Sequence, residues 1–221
     1  MIYQSRKSIF TALLFASFFV NGQSNKLGTI HASFVLGGII GGSSPSFTNN
    51  TNPKTTANAD GLGLGGTIGV RASIGVSNKV SIGLFFRNEG TTSINTTEDK
   101  KHTYDVSTGG WGFGPEVKIY LTNTDNLNVY FAPSIGYSIT TDKIKLDNKY
   151  NFNGTSSGIS YGATLGVNKY FNNYIGFSVD FGLQGFAIGG KSEVSNNLTY
   201  FNSFVGVVLS GGLVFKIGGN K

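Results

Sequence analysis

Beyond residue 23 the chain carries no helical periodicity. Apolar side chains instead take every second position in eight segments: 30–36, 62–70, 80–86, 111–121, 127–139, 159–167, 175–187 and 205–217. Alternate residues of a strand share a face, so each segment predicts a strand with one apolar face. The fourth segment illustrates the pattern. Trp111, Phe113, Pro115, Val117, Ile119 and Leu121 fall on one face, and Gly112, Gly114, Glu116, Lys118 and Tyr120 on the other. Across all eight segments the apolar phase holds no charged or strongly polar side chain. The opposite phase is mainly Gly and Ser with a few charges.

That asymmetry predicts which face is outside. A soluble sandwich turns its apolar face inward and covers the other with Lys and Glu. Here the non-apolar face is small and suits a cramped interior, while the apolar face is long and rich in aromatics and suits lipid. Connections alternate as well. Long polar stretches at 42–58, 95–102 and 142–155, and an intermediate one at 189–197, are separated by short turns near 77–79, 123–126 and 172–173. Short turns at one end and long loops at the other are the habit of transmembrane barrels. Closing the sheet leaves no unpaired edge for lipid to meet. Tyr120, Tyr130, Tyr170, Phe171 and Tyr174 flank the short turns, and Tyr104, Trp111, Tyr200 and Phe201 lie towards the long loops. They are expected to form two aromatic belts.

The N-terminus predicts export. Arg6 and Lys7 precede an apolar run from Ser8 to Val20, too short to span a bilayer, and Val20-Asn21-Gly22 ends in a small residue. Residues 1–22 therefore read as a signal peptide and 23–221 as one barrel domain. Of 17 basic residues Arg6 and Lys7 leave with the signal, so 15 face 11 acidic residues, a charge of +4. Such a mild and unclustered balance points to no nucleic-acid partner. The chain has no Cys, which excludes disulfide scaffolds and thiolate metal sites.

The signal, the eight alternating segments and the last of them, Gly211-Gly212-Leu213-Val214-Phe215-Lys216-Ile217, resemble the small bacterial outer-membrane β-barrel family typified by OmpX and the OmpA transmembrane domain. The resemblance implies an all-β, up-and-down antiparallel barrel of eight strands in the outer membrane of a Gram-negative bacterium. It further implies outer-membrane lipid and the barrel-assembly machinery as partners, no cofactor and no metal. That family usually ends on an aromatic residue, whereas here Phe215 is followed by six more.

Candidate chemistry is sparse. Gly61-Leu62-Gly63-Leu64-Gly65-Gly66 matches a dinucleotide-binding pattern, yet a polar loop precedes it and a strand follows, so small lumen residues are the better reading. His31 and Ser33 share the inner phase of strand one; His102 and Asp105 lie in or beside the second long loop. Either set would suit a lipid A-modifying hydrolase or acyltransferase only with convergent geometry. The inner charges carry more information. Arg71, Arg87 and Lys118 stand against Glu89, Glu116 and Asp180, three of each sign. In a narrow lumen they are expected to pair, with Arg71, Arg87, Glu116 and Asp180 at similar depth. A structural network or a charge-lined path both follow from such a set. The sequence therefore predicts a non-enzymatic structural or surface-interaction protein presenting four loops, with a narrow passive pore and a lipid-modifying enzyme as alternatives. No catalytic residue is assigned.

Overall fold

The structure is a computed structural model, and it describes residues 25–51, 53–147, 150–192 and 198–218. The expected signal peptide lies outside the described residues. Eight strands follow one another: β1 Ile30–Asn49, β2 Thr55–Ser77, β3 Val80–Thr97, β4 Thr103–Asn123, β5 Leu127–Leu146, β6 Tyr150–Tyr170, β7 Ile175–Ser192 and β8 Leu198–Ile217. Each pairs antiparallel with the next, and β8 pairs with β1, so the sheet closes into a barrel.

The register sets the tilt. From His31 the paired residues run through Ser73, Gly83, Glu116, Ser134, Gly162, Gln184 and Gly206. The circuit returns to β1 at Gly41, ten residues beyond its start. A stagger of that size across eight strands tilts them by about 40° and leaves an interior just wide enough for side chains.

Alternation assigns the two faces as expected. Leu84, Trp111, Phe113, Ile135, Phe181 and Leu209 all point outward and are exposed. Their inner-phase neighbours Arg87, Glu116, Lys118, Asp180 and Gln184 are buried. On β4 the apolar face from Leu121 to Trp111 covers about 25 Å of barrel height, the thickness of a bilayer's apolar band. In water so much exposed apolar surface would aggregate; in lipid it is the embedding surface.

Two expectations are corrected. The connections at 42–58 and 142–155 are mostly strand: β1 and β2 stay paired out to Asn49 and Thr55, and β5 and β6 to Leu146 and Tyr150, whereas 98–102 is a loop as expected. The hairpins therefore rise as a continuation of the barrel wall, with Thr, Ser and Asn outside in place of apolar residues. These residues form hydrogen bonds across the strands, such as Ser44 to Asp60 and Thr92 with Ser107. Secondly, five of the aromatics expected in belts face inward. Tyr104, Tyr120, Tyr130, Tyr170 and Tyr200 are buried in the lumen, while Trp111, Phe171, Tyr174 and Phe201 are exposed. The parity of each strand explains this, since Tyr120 shares the phase of Glu116 and Lys118.

Candidate functional site

The lumen is filled in layers. At the short-turn end Asn25 forms its floor. Its side chain donates to the Ser77 carbonyl (2.7 Å) and accepts from Ser81 Oγ (2.8 Å). The same oxygen lies 3.2 Å from His31 Nε2, and His31 Nδ1 lies 2.8 Å from the Tyr170 hydroxyl. Because the amide oxygen only accepts, Nε2 carries the proton and Nδ1 accepts from Tyr170. Both nitrogens of His31 are thus engaged, neither with Ser33, and the two do not form a nucleophile–base pair.

The second layer holds four of the six lumen charges. Arg71 Nη1 lies 3.1 Å from Asp180 Oδ2, and its Nε is 3.6 Å from Glu116 Oε2. Lys118 Nζ is 3.6 Å from Glu116 Oε1 and 5.1 Å from the Tyr130 ring centre. The Tyr130 hydroxyl donates to Asp180 Oδ1 at 2.7 Å. Gly166 makes this possible, since a Cβ there would fall on the Tyr130 ring and on Asp180. Arg87 does not join this layer. It pairs with Glu89, two residues along on the same face of β3, and its guanidinium carbon lies 4.4 Å from the Phe85 ring centre. Arg87 Nη2, Ser160 Oγ and Gln184 Nε2 are buried there without a hydrogen-bond partner in the protein.

Above the charges the lumen turns apolar. Ile39, Phe186, Ile188, Phe204 and Val208 form a buried collar, with the two phenylalanines stacked at 5.5 Å. Ile188 is 0% and Phe204 1% exposed, so both are packed on every side. Beyond the collar Asp142 is fully buried, accepting from Thr108 Oγ1 at 2.7 Å and Thr140 Oγ1 at 3.4 Å. No cation lies in ion-pair range of it among the described residues. A last apolar layer caps the lumen, with Phe47 stacked between Tyr104 (4.6 Å) and Tyr200 (5.4 Å) beside Val106 and Ile144.

The collar was missed by the alternation because its residues sit in uninterrupted apolar runs, and the cap because Phe47, Val106 and Ile144 are single apolar residues between polar ones. In Val205-Gly206-Val207-Val208-Leu209 the outward residues mask the inward one. The signal is the lost alternation itself: where a strand stops alternating and stays apolar, both of its faces are dry.

The loop pair expected at His102 and Asp105 is not brought together. His102 Nδ1 lies 2.8 Å from Asp147 Oδ2, tying the β3–β4 hairpin to the β5–β6 hairpin, and Asp147 also accepts from the Thr103 amide at 2.9 Å. Asp105 faces outward from β4. No group of three or more His, Cys, Asp or Glu is clustered as a metal site among the described residues.

No family model matches the chain, and neither does any curated protein. Among solved structures, the outer membrane protein OprG from Pseudomonas aeruginosa is similar at a TM-score of 0.52 and 12% identity, over 90% of this chain and 99% of that one. The outer membrane protease OmpT from Escherichia coli aligns at 0.45 and 11% identity, covering 86% and 97%. Ail, the attachment invasion locus protein of Yersinia pestis, aligns at 0.34 and 14% identity, covering 86% and 99%. The likeness to OprG is one of fold. With the closed eight-strand ring and the apolar belt, it identifies the architecture as that of a small outer-membrane β-barrel protein.

Proposed function

We propose that this chain is a closed outer-membrane barrel whose role is non-enzymatic and lies at its hairpin end, in contact with partners outside the cell. The observation that carries the reading is the filled lumen. Paired charges, an apolar collar and an aromatic cap succeed one another across a section only wide enough for side chains. What remains accessible is the polar wall of the hairpins, which on β4 rises about 20 Å beyond Trp111. Export by the N-terminal signal and insertion by the barrel-assembly machinery belong to the same reading, with both termini in the periplasm. OprG, which shares the fold, is itself an outer membrane protein.

A narrow passive pore is the competing reading. The buried polar atoms of Arg87 and Gln184 favour it, since they put polar groups inside the barrel. Conductance of the purified full chain in a planar bilayer separates the two. The closed reading expects no steady current from wild type and a current from Ile188→Ala/Phe204→Ala, which thins the collar. Steady wild-type current would remove the closed reading.

A further inference from the structure

The outer wall is uneven above the apolar belt. On β5 the outward face runs Tyr137, Ile139, Thr141, Lys143, Lys145, passing from apolar to cationic within three positions. Lys143 and Lys145 are exposed, and both lie outside any ion pair among the described residues. Same-face neighbours on a strand stand about 7 Å apart, so the two ammonium groups act together. They line one side of a depression of about 370 Å³ whose other walls are Thr92, Ile94, Asp105 and Ser107. Asp105, opposite Lys145 in register, is the one carboxylate there. Further round, Lys191 sits on the outer face of β7 opposite Thr155. The β1–β2 side at this level carries Asp60 and Ser44 instead.

Height decides the partner. Lys143 stands four residues beyond Ile139, about 10 Å above the last apolar ring. That is the level of lipid headgroups, and lysine stems fold down along an apolar wall while keeping the charge in water. We infer that Lys143 and Lys145, with the hydroxyls of Thr92 and Ser107, form a docking site for the phosphorylated headgroup of an outer-leaflet lipid, seated on one side of the barrel. The depression gives the phosphate the one hydroxyl hydrogen that the Thr92–Ser107 pair leaves free, beside two unpaired cations. The apolar belt directly below, with Trp111 and Ile139, receives the acyl chains. The inference rests on the membrane placement of that belt.

The test uses the full chain in vesicles and reads lipid retention, a quantity separate from conductance. Trp111 is the chain's single tryptophan and lies at the belt edge below the site, so its emission reports occupancy. Vesicles containing bisphosphorylated lipid A are compared with vesicles containing its dephosphorylated form, and retained lipid is counted by native mass spectrometry. Wild type is expected to retain the phosphorylated lipid and shift Trp111 emission. Lys143→Ala/Lys145→Ala is expected to weaken retention about tenfold or more, and Lys143→Arg/Lys145→Arg to preserve it. Because both lysines are exposed, heat-modified gel mobility should show every variant folded. Equal retention by the double alanine variant, equal retention of the dephosphorylated lipid, or displacement by excess inorganic phosphate would each overturn the proposal.

Discussion

The two halves of the lumen fill the same bore by different means. Towards the short turns, Lys118, Glu116 and Asp180 are buried as charges with Arg71 partly buried among them, and each finds an opposite charge within 4 Å. Towards the hairpins the space is filled by Ile39, Phe186, Ile188, Phe204 and Val208, and the buried Asp142 beyond them has hydroxyls and no cation. Burying an ion costs several kcal/mol unless a partner and hydrogen bonds compensate it. The first half therefore depends on every member of its network, and the second depends on volume. Mutations should sort along that line.

The largest effect is expected where one carboxylate serves two cations. Glu116→Ala leaves Lys118 without its ion-pair partner and Arg71 with Asp180 alone, so it should destabilise by about 3–5 kcal/mol. Urea unfolding from bilayers measures this. The double variant Glu116→Ala/Lys118→Met should recover part of the loss, because it removes the stranded cation. If the double variant is as unstable as the single one, the cost is packing and the contrast between the halves fails. Val117, the next residue, points into lipid on the other face. Val117→Arg should cost about 2–4 kcal/mol from burying a charge in the apolar band, and should show no rescue by Lys118→Met. Similar rescue in both would mean that the wall does not separate the two environments.

A smaller effect tests how tightly the charged layer is built. Gly166→Ala puts a methyl where the Tyr130 ring crosses the wall to reach Asp180. Overpacking of this kind costs about 1–3 kcal/mol. Adding Tyr130→Phe removes the hydroxyl hydrogen bond but leaves the ring, so the clash should persist in the double variant. Loss of the Gly166 effect in that background would place the strain on the hydrogen bond instead of the ring.

Much of this architecture was legible because a barrel wall has period two. Ile82, Leu84 and Phe86 alternate with Ser81, Gly83 and Phe85, and that fixed the faces before any geometry was known. The strand ends were less legible. Above the belt the outer face need not be apolar, so Ser46, Thr48, Thr55 and Thr56 read as loop although their backbones stay paired. The charges were found by parity, but their partners were not. Arg87 was expected beside Arg71 and Asp180, whereas Glu89 on its own strand captures it, a contact that depth counting does not rank above others. His102 found Asp147 across two hairpins, a pairing set by loop geometry with no trace in spacing.

The smallest effect should come from the other half of the comparison. Asp142 is as buried as Asp180, yet its contacts are the Thr108 and Thr140 hydroxyls. Replacing Asp180 by Asn removes the anion that Arg71 needs and should cost about 3 kcal/mol or more. Asp142→Asn removes no partner of any cation. Its amide oxygen still accepts from Thr108, its new N–H₂ finds hydroxyl oxygens nearby, and the cost of desolvating a carboxylate disappears. The variant should stay within about 1 kcal/mol of wild type, on the stable side if it moves. The two substitutions are the same chemical change at equal burial, so their difference in urea midpoint isolates the cation. A large loss from Asp142→Asn would mean that a cation, supplied from outside the chain, occupies the space between the collar and the cap. Repeating the measurement after exhaustive dialysis against a chelator and then with added Na⁺ or Ca²⁺ would identify it.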